Sequence, residues 1–252
     1  MEISLKLIES ILIPKILYGC ETWTNMSKQQ LNTLEKIQKD AVTKTNSIPS
    51  TTPYQGITYE CGLMPITYRI KIKRLVYLRK MIKMKDSRLT KKVYKEQKRL
   101  NLNNCWNSEI KNDLKELNIN ISEKQIGKLT SKEWKNMITN RILSLIQRDM
   151  KECNKTKLRL IKDNCFGKKE YIAHKDAANL LLLKLNMTDL KANYKGKHED
   201  ALCRKCGAQE ENIEHLFQCQ KFREKPLNLK NLLKTDPTKL GKIFQKVKTF
   251  LS

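Results

Sequence analysis

The chain has 252 residues, of which only 8 are Gly and 6 are Pro, and its 51 Lys and Arg against 26 Asp and Glu give a net charge of +25. So few turn-forming residues exclude an all-β sandwich or barrel, which needs a turn about every 8–12 residues. The composition also excludes collagen, a small disulfide-stapled protein and a membrane protein. A mainly α fold is therefore predicted.

The first two helices are marked by apolar spacing and by their breaking and capping residues. Residues 3–18 have helical periodicity that Pro14 interrupts. Ser27 and Gln30 have the spacing of a capping box, which opens a second helix that ends near Asn46. This second helix has one apolar face, formed by Leu31, Leu34, Ile37, Ala41 and Val42.

Proline and a second capping box mark the later elements. Residues 48–65 contain three prolines with interleaved apolar residues, so we expect a structured connection there. Pro65 is well placed to begin a helix over residues 66–85. The first eight of these residues alternate between apolar and polar, a pattern that would also suit a strand. Thr130 and Glu133 form a capping box. Further helices are predicted over residues 108–117, 130–150, 155–163, 174–190 and 239–251.

The most specific motif is Cys203-x2-Cys206-x8-His215-x3-Cys219. A two-residue spacer lets two thiolates share one tight turn, and His and Cys at i and i+4 share one helix face. Gly207 relaxes the backbone directly after the second cysteine. The pattern predicts one Zn²⁺ in a closed, structural Cys3His site that leaves no coordination position for a reacting water.

Two alternatives to this reading stay open. The four residues could be unrelated core cysteines and a surface histidine, and His198 could replace His215 as a ligand. The segment is also locally acidic, with Glu199, Asp200, Glu210, Glu211 and Glu214 against Arg204 and Lys205. We therefore expect this module to brace the fold, or to present a few specific side chains, rather than to be the main phosphate-binding surface.

The positive charge is concentrated in residues 69–99, which we call the basic segment. It carries fourteen Lys and Arg against Asp86 and Glu96, a net charge of +12. Its helical part contains no acid, whereas an ordinary solvated helix face mixes signs at i,i+4 spacing. Nucleic-acid backbone is the predicted ligand. The candidate contact residues are Arg69, Lys71, Lys73, Arg74, Arg79, Lys80, Lys83 and Lys85.

No complete catalytic constellation is found in the sequence. It contains no Asp-Asp pair of the kind that holds two catalytic metals, no Gly-rich phosphate loop and no hydrolytic triad. A nuclease motif is approached only by Asp236-Pro237-Thr238-Lys239, which a helix cap also explains. We therefore expect no catalytic residue and no small-molecule substrate.

Two parts of the chain resemble one family. Leu17-Tyr-Gly-Cys-Glu-Thr-Trp23, followed by Leu31, Leu34, Glu35, Gln38, Glu60-Cys-Gly62, Pro65-Ile66 and Arg69, resembles the region after the palm of non-LTR retrotransposon (LINE-type) reverse transcriptases. The pattern from Cys203 to Cys219, with Glu-His-Leu around His215, resembles the zinc-binding domain near the C-terminus of the same polyproteins. The two matches occur in the family's order.

The resemblance implies a thumb-like helical bundle whose helices hold a template–primer duplex by its backbone. The palm and its catalytic aspartates are missing, so the chain is expected to be a non-catalytic fragment of an RNA-directed DNA polymerase, intracellular and nuclear, that binds RNA or DNA and no membrane. The regions expected are a thumb-like one over residues 1–100, a helical connection over 101–195, a zinc knuckle over 196–225 and C-terminal helices over 226–252.

Two other functions stay open at this stage. The chain could be a zinc-containing protein-interaction module whose lysine excess reflects an A+T-rich genome. It could also be an enzyme with an unrecognised nuclease site at Asp236.

Overall fold

A computed structural model describes residues 1–194 and 196–221, together with Lys242 and Thr249. The described chain is mainly helical, as the composition predicts. The predicted helix over residues 239–251 and its Asp236 cap lie outside the described residues. The α-helices are α1 Glu2–Leu7, α2 Ile13–Ile16, α3 Lys28–Thr45, α4 Tyr54–Cys61, α5 Ile66–Lys83, α6 Leu89–Arg99, α7 Trp106–Glu116, α8 Glu123–Lys128, α9 Ser131–Glu152, α10 Ala177–Lys184 and α11 Ile213–Gln218.

The chain divides into two compact units that are each built from separated segments. Unit 1 comprises residues 1–7, 40–63 and 151–252, and unit 2 comprises residues 8–39 and 64–150. The four regions expected from the sequence remain a prediction. Within the described residues, no helix combines the length and the apolar character that crossing a lipid bilayer would require.

Unit 2 is organised around α5. The helix begins directly after Pro65, and it is a helix throughout rather than a strand. Its inner face includes Ile66 and Leu75, which are fully buried. The indole Nε1 of Trp134, on α9, donates to the carbonyl of Leu75 at 2.7 Å and so fixes α9 against α5.

Both predicted capping boxes of unit 2 are present. The backbone N–H of Ser27 donates to Gln30 Oε1 at 2.8 Å, and the N–H of Gln30 donates to Ser27 Oγ at 3.2 Å. In the second box, the backbone N–H of Thr130 donates to Glu133 Oε2 at 2.7 Å, and the N–H of Glu133 donates to Thr130 Oγ1 at 3.2 Å. Each pair satisfies two N–H groups that a helix start leaves without a partner.

The predicted apolar face of α3 is wrong at one position. Ile37 is 38% exposed, whereas its neighbour Gln38 is completely buried. The amide of Gln38 donates to the carbonyl of Met64 at 3.3 Å, so a hydrogen bond compensates its burial.

Unit 1 contains a helix where the sequence predicts only a structured connection. α4 ends at Gly62, whose φ of +67° favours glycine. A Cβ at this position would lie 2.3 Å from the backbone nitrogen of Lys168, so the chain can approach here only because Gly62 has no side chain. Cys61 and Lys168 form an antiparallel bridge at this contact.

A charged group is buried beside this contact. The Glu60 carboxylate is completely buried and accepts from the hydroxyl of Tyr171 at 2.9 Å. Lys184 Nζ lies 3.4 Å from the same carboxylate oxygen. These bonds join α4 to α10 and to the short turn before it.

Two predicted helices of unit 1 are shorter than expected. The stretch 155–163 contains only the 3-10 turn Thr156–Leu158, and the predicted helix over 174–190 is reduced to α10. In unit 2, α6 is a helix that the sequence analysis does not predict.

Candidate metal centre and basic groove

The four residues of the Cys/His motif lie together in unit 1. The ligand atoms of Cys203, Cys206, His215 and Cys219 are all within 4.8 Å of one another. Cys206 Sγ lies 3.3 Å from His215 Nε2. Cys206 is half-buried and the other three are buried, so this set of three sulfurs and one nitrogen could hold a metal ion.

A tight turn and a capped helix bring these ligands together. Gly207 has a φ of +65°, and its N–H donates to the carbonyl of Cys203 at 2.8 Å. Asn212 caps α11 by accepting the N–H of His215 at 2.8 Å. The helix then places Cys219 one turn after His215, as the i,i+4 spacing predicts.

The histidine is oriented by a neighbouring amide. His215 Nδ1 lies 2.9 Å from Gln209 Oε1, which can only accept. Nδ1 therefore carries the proton, and the lone pair of Nε2 points toward the cysteines. The backbone N–H of Ala208 lowers the pKa of the Cys206 thiol to about 6, with help from Cys203 and His215. This favours the thiolate, the form that binds metal.

A buried carboxylate that is not one of the four ligands holds the Cys203–Cys206 turn in place. Glu211 is completely buried, and its oxygens accept from the Arg204 backbone N–H at 2.8 Å and from the guanidinium at 2.8–3.0 Å. The backbone N–H of Lys191 donates to Glu211 at 3.1 Å. Burial raises the pKa of Glu211, but these hydrogen bonds outweigh it and hold the pKa below its usual range.

Other acids of this segment are also paired within unit 1. Asp200 lies 2.8 Å from Lys191 Nζ, and Glu214 pairs with Arg159. The local acidity noted in the sequence is therefore largely neutralised by neighbouring cations. His198, the alternative ligand, is not part of the four-residue cluster.

Unit 2 has a large groove along α5, which we call the basic groove. Its volume is about 1300 Å³. Two glutamates, Glu9 and Glu21, line it against eight basic residues. Those basic residues are Arg69, Lys73, Arg79, Lys80, Lys83, Lys85, Arg88 and Lys135.

Six of the eight predicted contact residues line this groove. Lys80, Lys83 and Lys85 are exposed. Lys73 is also exposed, although its Nζ donates to the Leu17 carbonyl at 3.0 Å. The two arginines are more constrained. Arg69 pairs with Glu9, and Arg79 donates through Nε to the carbonyl of Leu129 at 2.8 Å.

The other two predicted residues make internal contacts and do not line the groove. Arg74 is 5% exposed, and its guanidinium lies 2.8 Å from Asp113 and 3.1 Å from Glu109. Burial raises the pKa of Asp113 although Arg74 acts in the opposite direction, so desolvation of this pair is costly. Lys71 pairs with Glu116. Both residues therefore lie outside the lining of the groove, and the burial of Arg74 argues against a phosphate contact there.

Two groove residues were missed by the sequence analysis. Arg88 belongs to the basic segment but follows the predicted helix. Lys135 is on α9, where Ser131, Lys135 and Thr139 form an i,i+4 row that lines the groove. This polar row lies on the helix face next to the apolar row that begins at Trp134. The spacing of the polar row is the sequence signal that could have identified Lys135.

The turn between α2 and α3 also contributes to the wall of the groove. Leu17 and Glu21 line it, and three side chains hold the backbone of this turn. Lys73 bonds the Leu17 carbonyl, Arg74 Nη2 donates to the Trp23 carbonyl at 3.0 Å, and the indole of Trp106 donates to the Glu21 carbonyl at 2.6 Å. The Leu17–Trp23 motif is thus held against α5 by side chains of that helix.

Comparison of the chain with protein-family models, with curated proteins and with solved structures finds no match in any of the three.

Proposed function

We propose that this chain is a non-catalytic nucleic-acid-binding protein with one structural zinc, derived from the C-terminal region of a LINE-type reverse transcriptase. The observation that carries the proposal is the basic groove of unit 2, where eight Lys and Arg face two Glu. Side chains of one sign around a concave surface concentrate an ionic ligand of the opposite sign. RNA or DNA is the polyanion that matches such a surface, through its phosphates.

Zinc is the metal that fits the Cys/His cluster best. Soft thiolates together with imidazole favour Zn²⁺ among the common protein metals. Cys203, Cys206 and Cys219 would supply three thiolates and His215 its Nε2. Four protein ligands leave no open position, so the metal would stabilise the fold of this segment and supply no reaction.

Two motifs that make structural contacts support the proposed origin of the chain from a LINE-type reverse transcriptase. The Leu17–Trp23 turn is bonded to α5 by Lys73 and Arg74, and Gly62 permits a close chain contact. Both belong to the pattern that resembles the thumb region. A template–primer duplex or target DNA in the nucleus is the partner that this parentage implies.

The sequence also supports a binding role rather than a catalytic one. No Asp-Asp pair occurs in it, so the two-metal chemistry of a polymerase lacks its carboxylates. Asp236, the only candidate nuclease residue, is outside the described residues. The alternative of a protein-docking zinc module is weakened, because Asp200, Glu211 and Glu214 pair with neighbouring cations.

The experiment is a salt series of binding measurements on the zinc-loaded chain with unrelated DNA and RNA sequences. Binding through six exposed groove cations predicts a slope of log affinity against log salt of about −4 to −5, with little sequence preference. A charge-reversed variant, Lys80→Glu with Lys83→Glu, should weaken binding to every sequence equally. Lys92→Glu with Lys124→Glu is the matched control, because both lysines are exposed in unit 2 and do not line the groove. A slope near zero would refute the proposal.

A further inference from the structure

The basic groove is not basic throughout. Its exposed lining residues are mostly cations, among them Lys80, Lys83 and Lys135, whereas its buried and half-buried lining residues are mostly apolar. Ile72, Val76 and Met64 are half-buried and keep part of their apolar surface accessible, whereas Ile13 and Leu17 are buried. The groove thus combines a charged rim with an apolar floor.

A duplex does not match this combination. Its bases are paired and stacked inside, so it presents phosphates to the rim but no base face to the apolar floor. The cavity of about 1300 Å³ is also only slightly larger than the pockets of about 300–1,000 Å³ that enclose small ligands. A single strand has unpaired bases whose faces can lie on apolar and aromatic side chains while its phosphates meet cations.

The length of the groove fits a short strand. The cations on α5 run from Arg69 to Lys83, which at 1.5 Å per residue spans about 21 Å. Phosphates of one strand are about 3.4 Å apart when its bases stack and farther apart when they do not, so this row of cations meets at most about six phosphates. Tyr77 also lines the groove and supplies one aromatic ring, which packs at 5.8 Å against Trp106.

We propose that the basic groove binds a single strand of nucleic acid of at most about six nucleotides, with its phosphates on the lysine rim and its bases on the apolar floor. This inference rests on the proposed function, and it replaces the template–primer duplex named there with a single strand as the ligand of the groove. An acidic amphipathic helix could also meet a charged rim and an apolar floor. The single strand is favoured because five of the eight groove cations lie along α5, as a continuous phosphate chain requires.

The test compares three probes on the zinc-loaded full chain by fluorescence anisotropy. The probes are a labelled thymidine 12-mer, an abasic 12-mer with the same phosphates, and a 12-base-pair duplex. We expect the thymidine strand to bind about tenfold more tightly than the abasic strand, because only its bases reach the floor, and more tightly than the duplex. The salt slopes of the two single strands should be equal.

Variants then measure the contributions of the apolar floor and of the lysine rim to binding separately. Ile72→Gln with Val76→Thr should remove most of the preference for the thymidine strand over the abasic one and leave the salt slope unchanged. Lys80→Gln with Lys83→Gln should reduce the slope by about 1.4 and keep the preference. Lys92→Gln with Lys124→Gln should change neither. Thermal melting of each variant checks folding, and the abasic comparison needs no variant.

The outcomes distinguish this inference from the function on which it rests. Equal binding of thymidine and abasic strands, or tighter binding of the duplex, would overturn the single-strand inference while backbone binding stands. Absence of binding to all three probes would overturn both. Displacement of the strand by an acidic amphipathic peptide that binds at least as tightly would assign the groove to a protein partner and overturn the inference.

Discussion

The Cys/His cluster of unit 1 and the basic groove of unit 2 use charge in opposite ways. Around the cluster, Glu211 pairs with Arg204, Asp200 with Lys191 and Glu214 with Arg159. Along the groove, eight cations face two glutamates. Charges that are neutralised by their neighbours hold a fold together, whereas charges left in excess on a concave surface attract a ligand. The four predictions below test this contrast in order of decreasing effect.

The largest effect is expected at the metal ligands. Cys219→Ser removes one of four ligands, and structural zinc in comparable small motifs contributes about 10–16 kcal/mol of apparent binding free energy. We expect metal content to fall from one equivalent to well below one, with rapid hydrogen exchange at α11. The salt slope of nucleic-acid binding should not change.

Cys165→Ser is the matched control for that variant, because Cys165 is an exposed cysteine of the same unit outside the cluster. It should retain the metal and the protection of α11. Full metal content in Cys219→Ser would contradict the assignment of the site.

A smaller but still large effect is expected at Arg74. Arg74→Met leaves the buried carboxylate of Asp113 without its partner, which costs about 3–5 kcal/mol of unfolding free energy. Adding Asp113→Leu should recover part of that loss, since apolar replacement of a whole buried pair is often tolerated. Thermal melting measures both.

The same variant tests which cations of α5 meet the ligand. Lys80→Met is the control, because Lys80 is exposed on the same helix, and it should lower the salt slope without lowering the melting temperature. If Arg74→Met instead lowered the slope and preserved stability, Arg74 would be a phosphate contact.

An intermediate effect is expected at Glu211. Glu211→Gln replaces a charged acceptor by an amide whose NH2 group faces the Arg204 guanidinium, and hydrogen bonds to charged groups contribute about 1.5–3 kcal/mol. We expect a loss of that size in the opening free energy of the Cys203–Cys206 turn, measured by hydrogen exchange. Glu199→Gln, at an exposed position, should have no such effect.

The smallest effect on stability and the most specific effect on binding are expected at Lys85. Lys85→Gln removes one exposed groove cation, so stability should stay within about 0.5 kcal/mol. The magnitude of the salt slope should fall by about 0.7 for a single strand or 0.9 for a duplex. An unchanged slope would remove Lys85 from the interface.

Much of the fold could be predicted from short-range chemistry. The Ser27 and Thr130 capping boxes and the start of α5 after Pro65 depend on residues within one helical turn, which the sequence displays. The metal cluster is also local, because all its ligands lie within residues 203–219.

The remaining features depend on contacts between distant residues. Arg74 and Lys80 look alike in the sequence, and only the approach of Asp113, 39 residues away, shows which of them is buried. Gln38 is buried because the distant Met64 carbonyl accepts its amide proton. Lys135 joins the groove because α9 packs on α5 through Trp134.

The close contact at Gly62 has a consequence for the order of synthesis. Tyr59 on α4 bonds to Asn164, 105 residues later, next to the Cys61–Lys168 bridge. At about 5–20 residues per second, a ribosome needs about 5–20 seconds to make the intervening chain. During that time the carboxylate of Glu60, buried in the finished protein, lacks its partners Tyr171 and Lys184. We expect α4 to gain its native contacts only after the chain beyond Tyr171 has been made.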